Sequence, residues 1–147
     1  ALDILRLEKK FLHWGHDITS ENNPFEAGLS FAVNFRKAEK FIGREALEKI
    51  KDKPLTNRLE LFSLKGKFRP GKPLLLHDEP IFKDNKIIGY TTSSNFSFCY
   101  NKNICLAYVK GELDNIQNFS IEVEGKKYPL HLEKSPLHDP KARLMRS

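Results

Sequence analysis

The chain has 147 residues and a net charge of +6, from 25 Lys plus Arg against 19 Asp plus Glu. With 39% hydrophobic and 30% charged residues it reads as globular rather than disordered. No run approaches the roughly 18 apolar residues of a membrane-spanning helix, and two cysteines are too few for a disulfide scaffold.

No charged region precedes an apolar run at the start, so no signal peptide is expected. The chain opens on Ala1 rather than Met, and upstream sequence is expected. Residues 2–12 read as a helix. Ile4, Leu7 and Phe11 make one apolar stripe on a 3.6-residue wheel, Arg6 and His13 share a neighbouring face, and Gly15 is the expected stop. Residues 16–28, with Asn-Asn-Pro, read as loop. Leu29 to Phe35 alternates as a half-buried strand would, and Gly43 to Lys51 reads as a second short helix.

Lys53-Pro54 marks a boundary, after which the period switches to two. Residues 58–64 form a clear strand. Residues 80–83 and 87–92 form a hairpin across Asp84-Asn85-Lys86, 104–109 a further strand, and 119–124 with 127–132 a second hairpin around Gly125-Lys126. The tail from Pro136 reads as loop. The fold class is α+β, and five or six short strands with turn signals point to a small antiparallel barrel or sandwich.

Charge is uneven. Residues 1–52 hold nine of each sign, and the whole excess lies in 53–147, with sixteen basic against ten acidic. Lys65, Lys67, Arg69 and Lys72 cluster in a Gly/Pro-rich stretch, which suits either an anionic partner or a solvated loop. Cys105 sits in an apolar run and reads as a buried, unreactive thiol; Cys99 has no charged neighbour to activate it. His13, His16 and Asp17 lie close together, but Gly15 interrupts them and no zinc spacing is present, so no metal is assigned. His131 and His138 read as surface or packing residues. Thr91, Thr92, Ser93 and Ser94 offer hydroxyls without any phosphate-binding loop, and no nucleophile elbow exists, so no catalytic residue is assigned. Aromatic and basic residues interleave at Phe96, Phe98, Tyr100 and Lys102. A barrel could stack bases there, but core packing is the simpler reading, and nucleic acid is not the expected partner. Arg6, between Leu5 and Leu7, needs a partner: either Glu8 or another nearby carboxylate, or the carboxylate of a ligand, which its planar fork suits.

Six segments occur in an order that is itself informative: R-L-E-K-K-F-L-H-W-G-H-D-I at 6–18, N-P-F-E-A-G-L-S-F-A-V at 23–33, F-I-G-R-E-A-L-E-K-I at 41–50, I-I-G-Y-T-T-S-S at 87–94, K-N-I-C-L-A-Y-V at 102–109 and K-S-P-L-H-D-P at 134–140. Together they resemble the C-terminal part of the folate-dependent aminomethyltransferase family. That family holds the glycine cleavage T-protein and the folate halves of sarcosine and dimethylglycine dehydrogenases. H-W-G at 13–15 and N-F-S-F at 95–98 look most like the dehydrogenase branch; T-proteins tend to have Tyr where Trp14 stands.

The resemblance implies that residues 1–52 end a folate-binding domain and that 53–147 form the barrel that closes over it. It implies tetrahydrofolate as cofactor, with Arg6 holding the glutamyl carboxylate and Trp14 packing on the aminobenzoyl ring. Glu26 is implied to shape its loop. Acidic residues that hold the pterin, and in dehydrogenases a domain carrying FAD, lie upstream. The whole enzyme would oxidise an N-methyl amine to an iminium and pass the one-carbon unit to tetrahydrofolate, while this piece alone would be catalytically incomplete. Its partner is then the upstream part of its own polypeptide, its compartment the cytosol or, in a eukaryote, the mitochondrial matrix. Alternatives are a flavin-free T-protein-like aminomethyltransferase and a stand-alone basic module for nucleic acid. Ser94 stands where many relatives have Gly, and Leu137-His138 where many have an aromatic pair.

Overall fold

The computed structural model describes residues 2–37, 39–111, 113, 118–144 and 146; Ala1 lies outside them. Six strands close into one antiparallel barrel in the order β1-β4-β3-β2-β5-β6. They are β1 (Asn57–Leu64), β2 (Pro80–Lys83), β3 (Lys86–Ser97), β4 (Lys102–Lys110), β5 (Phe119–Val123) and β6 (Lys126–Glu133). Of the two expected all-β arrangements, the barrel is the one formed. Among the described residues the helices are short: α1 (Leu2–Glu8), a 3-10 turn at Ser30–Ala32 and α2 (Arg44–Glu48). None of them is long and apolar enough to cross a membrane.

Period-two alternation explains the strands. On β5 every second residue is buried. On β4 both faces are buried, which is why Ile104-Cys105-Leu106-Ala107 reads as a continuous apolar run. Cys105, Ala107 and Val109 point into the barrel, where they join Phe62, Phe119, Ile121 and Leu130. Ile104 and Leu106 point outward and form a second cluster with Leu59, Leu61 and Leu7. Phe62 and Phe119 meet edge-to-face across the interior with centroids 5.5 Å apart. Both tight hairpins turn on residues with positive φ: Asp84 and Asn85 at 48° and 64°, Glu124 and Gly125 at 51° and 73°. This is the type I′ geometry that matches strand twist. Lys86 and Lys126 pair as strand residues, so the first turn is one residue shorter than its sequence punctuation suggests and the second lies one residue earlier.

Two expected elements differ. The first helix ends at Glu8 rather than running to residue 12. Lys10 adopts φ 55°, Phe11 N–H donates to Arg6 O at 2.8 Å and Lys10 N–H to Leu7 O at 3.0 Å. That is a Schellman termination, here without glycine. Phe11 therefore leaves the stripe and is exposed, while Leu7 is fully buried. The segment 29–35 is not a strand. Its alternation has no partner to pair with, because each barrel strand already has two neighbours.

Residues 2–56 have almost no interior of their own. Among the described residues they supply only Leu7 and Ala27 to the buried apolar set, while Leu2, Leu5, Phe11, Trp14, Phe31 and Ile42 are exposed. They are held by the barrel's outer wall. Leu7 seals the patch on β1 and β4; burying it contributes about 1.5–3 kcal/mol. Glu8, also buried, accepts a 2.6 Å hydrogen bond from Ser97 Oγ. The tail crosses back over α1: His138 N–H donates to Glu8 O at 2.9 Å, Lys9 Nζ meets Asp139 Oδ2 at 3.4 Å and Leu137 packs on the outer cluster. The Glu26 carbonyl accepts the Leu59 N–H of β1 at 2.8 Å, tying the 23–28 loop to the barrel through backbone.

Candidate functional site

The four hydroxyl residues of β3 are sorted by a break in register. Thr91 pairs with Ala107 and Ser93 with Leu106, so Thr92 is the extra residue. Such a bulge re-aims side chains, and here it lets two successive hydroxyls face the same segment. Thr92 Oγ1 donates to Asp17 Oδ1 at 2.6 Å, and Ser93 Oγ accepts from Arg6 Nη2 at 2.8 Å. The flanking pair faces the other way: Thr91 Oγ1 donates to Leu76 O and Ser94 Oγ to Leu75 O, holding the loop before β2.

Arg6 is the hub. Nη1 donates to Asp17 Oδ2 at 2.6 Å and to Phe11 O at 3.4 Å, and Nε donates to Asp3 Oδ1 at 3.3 Å. The expected partner Glu8 is engaged with Ser97 instead, and the carboxylate that takes the arginine is Asp17. The guanidinium thus makes four hydrogen bonds, and of its five N–H groups one, on Nη2, has no acceptor among the described residues. Arg6 lines a cleft of about 290 Å³ with Asp3, His13, His16, His77, Thr92, Ser93 and Ser94 over Leu75 and Leu76. The His13 and His16 rings stack at 4.6 Å. Among the described residues no three His, Cys, Asp or Glu side chains converge as metal ligands.

Trp14 stands next to His13 in the same turn, bridged to Ile18 through backbone, with its indole 66% exposed. It is not among the residues that line the Arg6 cleft. A larger cleft of about 550 Å³ lies between Phe11, Leu12, Leu29 and Phe31 and the tail residues Pro136 and Pro140.

Several sequence candidates have clear places. Cys105 is buried, and burial pushes its thiol up to about 12; Cys99 is exposed. Phe96 is buried and Phe98 is exposed beyond the end of β3, so the two rings do not share a strand face, although they touch edge-to-face. The His138 ring meets Tyr100 Oη at 3.2 Å. Two residues escaped the sequence reading as partners. Asp17 was weighed only as a metal ligand beside His13 and His16. Tyr108 sits under the N-terminal segment with a buried hydroxyl that has no partner among the described residues. Burial, then the Glu26 and Asp17 carboxylates, push that hydroxyl up to about 12.

These features define a closed six-stranded barrel with the segment before β1 laid on its outer wall. The family model for the glycine cleavage T-protein C-terminal barrel domain matches residues 60–139, and that for the GCVT N-terminal domain matches residues 1–37. The chain belongs to the glycine cleavage T-protein family. It is 36% identical over 138 residues to the mitochondrial dimethylglycine dehydrogenase of Rattus norvegicus, covering 93% of this chain and 16% of that protein. It is 30% identical over 146 residues to the formaldehyde-forming 4-methylaminobutanoate oxidase of Paenarthrobacter nicotinovorans, covering 99% of this chain and 17% of that one. An aminomethyltransferase of Synechococcus elongatus is 34% identical over 139 residues, covering 94% and 36% respectively. The chain therefore spans well under half the length of these relatives. The crystal structure of the glycine cleavage system aminomethyltransferase T from Bartonella henselae has the same fold, with a TM-score of 0.80 over 94% of this chain and 38% of its own, at 24% identity.

Proposed function

We propose that this chain is the closing segment of a folate-linked demethylating enzyme of the sarcosine and dimethylglycine dehydrogenase type, with residues 1–52 ending its folate-binding domain. The observation that carries the reading is the fixed Arg6 guanidinium, which offers a remaining N–H at a cleft lined with hydroxyls, imidazoles and the exposed Asp3 carboxylate, which a ligand carboxylate would displace from Nε. This donor set fits a carboxylate, and the glutamyl tail of tetrahydrofolate provides one. Trp14, next in sequence to the cleft residue His13, exposes a flat apolar indole on which the aminobenzoyl ring would pack. When bound, tetrahydrofolate supplies the nitrogen that takes up the one-carbon unit, and FAD bound upstream supplies the oxidation of the N-methyl amine.

The work of this chain is placement. Arg6 fixes one end of an extended ligand, and the barrel excludes water from beneath it, so that the one-carbon unit is captured before it hydrolyses. The exposed apolar residues of 2–42 are the surface through which the upstream polypeptide, its expected partner, covers this segment. The flavin-free alternative keeps the same role for Arg6, and it is favoured by the 34% identity to an aminomethyltransferase.

The test uses the full-length protein. Arg6→Lys keeps a cation for Asp17 and removes the planar fork. A charged hydrogen bond contributes about 1.5–3 kcal/mol, so tetrahydrofolate affinity should fall about tenfold or more. Methylated amine is supplied with and without tetrahydrofolate, and formaldehyde is compared with 5,10-methylenetetrahydrofolate. Formaldehyde release that tetrahydrofolate does not divert, with unchanged affinity in Arg6→Lys, rejects the reading. Steeply salt-dependent binding of single-stranded RNA in place of folate would favour the nucleic-acid module.

A further inference from the structure

The strongest unexplained feature of the site is the Asp17 carboxylate. Its side chain is fully buried, yet it is tied to three separate segments. Oδ2 accepts from Arg6 Nη1 of α1 at 2.6 Å and from the His13 backbone N–H at 2.8 Å, and Oδ1 accepts from Thr92 Oγ1 of β3 at 2.6 Å. Removing a charge from water in this way is unfavourable unless it is fully paired; here the His13 N–H and Thr92 hydroxyl fix the carboxylate, and the carboxylate in turn fixes the arginine. Asp17 and Ser93 hold the two ends of the guanidinium edge, Nη1 and Nη2. The free N–H on Nη2 therefore has one direction.

We infer that Asp17 is the positioning residue of the Arg6 site: a buried anion, anchored by the Thr92 bulge, that presets the guanidinium for a carboxylate-bearing ligand. The inference rests on the reading of Arg6 given above. An arginine side chain left loose gives up rotamer freedom when it binds, and one already fixed by the fold does not. Asp17 neutralises the guanidinium, and the exposed Asp3 carboxylate on Nε brings the cluster to one net negative charge. The site therefore recognises a carboxylate by a directed hydrogen bond more than by net charge, and binding of the tail should depend only weakly on salt. The opposing physical effect is plain: without Asp17 the cluster loses one negative charge, leaving Arg6 balanced only by the exposed Asp3, and repels anions less. Affinity falls only if orientation outweighs that gain.

The experiment uses the full-length protein and two ligands, tetrahydrofolate and tetrahydropteroate, the latter lacking the glutamyl tail. Variants are Asp17→Asn, Thr92→Val, Arg6→Lys and the Asp17→Asn/Arg6→Lys double variant. Asp17→Asn should weaken tetrahydrofolate about tenfold and Thr92→Val about threefold, in line with the loss of one charged or one neutral anchor. Both should bind tetrahydropteroate within about twofold of the parent, since the positioned group meets only the tail. In the Arg6→Lys background Asp17→Asn should add less than about twofold, because the fork it aims is already gone. Thr92→Val keeps the test informative if Asp17→Asn folds poorly. The inference is overturned if Asp17→Asn or Thr92→Val binds tetrahydrofolate as well as or better than the parent, if both ligands weaken equally, or if the losses from Asp17 and Arg6 multiply. An Arg6→Lys protein with unchanged affinity overturns the carboxylate reading itself, a different result from a normal Asp17 effect.

Discussion

Gly89→Ala should remove a large share of the stability of the barrel. Gly89 lies on β3 opposite Val109 of β4, and its φ is not positive, so glycine is needed there for space. A Cβ would overlap the Tyr108 carbonyl oxygen and lie 2.8 Å from the Tyr108 carbonyl carbon and 2.9 Å from Val109 Cα. Ordinary contacts begin at 3.4 Å, and all three atoms are backbone, so no side chain can swing away. β3 is paired on its other side with β2, and the barrel is closed, so retreat from β4 strains the ladder on both sides. Overpacking costs about 1–3 kcal/mol, and each ladder hydrogen bond lost about 1 kcal/mol. The sum is about 2–5 kcal/mol, out of the 5–15 kcal/mol typical of a domain. Urea unfolding of the purified protein measures it. Gly71→Ala is the control: nothing lies within 4 Å of its added Cβ, but its φ is 72°, so only the dihedral strain of about 1 kcal/mol applies. Equal losses at the two positions, or a Gly89 loss below about 1 kcal/mol, would refute the steric account.

Two further outcomes follow from the tail and the thiols. Burial pushes Asp139 up, but the N–H groups of Arg143 and Leu144 and the Lys9 ammonium outweigh it and hold the carboxyl below its usual 3.8. A depressed folded-state value gives stability that is present above the unfolded value and lost as pH falls through the folded one. Asp139→Asn should therefore lower the urea midpoint at pH 6, and the deficit should close below about pH 4; a deficit that persists at pH 2.5 contradicts this. A thiol reagent at pH 8 should label Cys99 in the native protein and spare Cys105 until urea is added, read by mass spectrometry. Rapid native labelling of both would contradict the burial of Cys105.

The barrel strands were legible because each must bury alternate residues, and the sequence writes that alternation directly; β1 begins one residue before its expected start. The same pattern misled at 29–35, where alternation exists without a strand to pair against. The first helix was overextended because apolar spacing continued to Phe11, while the stop came from Lys10 adopting a conformation usually left to glycine. The Arg6 cleft was half legible. A charge on an apolar helix announced the need for a partner, but its partner stands eleven residues away, and the hydroxyl that steadies that partner lies a further 75 residues on. Separations of that size leave no periodic trace. Trp14 was singled out by resemblance, and its position in a turn, outside the cleft lining, is set by backbone that no local pattern encodes.

A sheet that bites its own tail has no first or last strand. Other polypeptides cannot prolong it, so the segment before it is held on the wall, chiefly by side chains such as Leu7 and Asp17. Such a unit can be carried within proteins of very different length, making up about a third of one relative and a sixth of another, without inviting misassembly between copies.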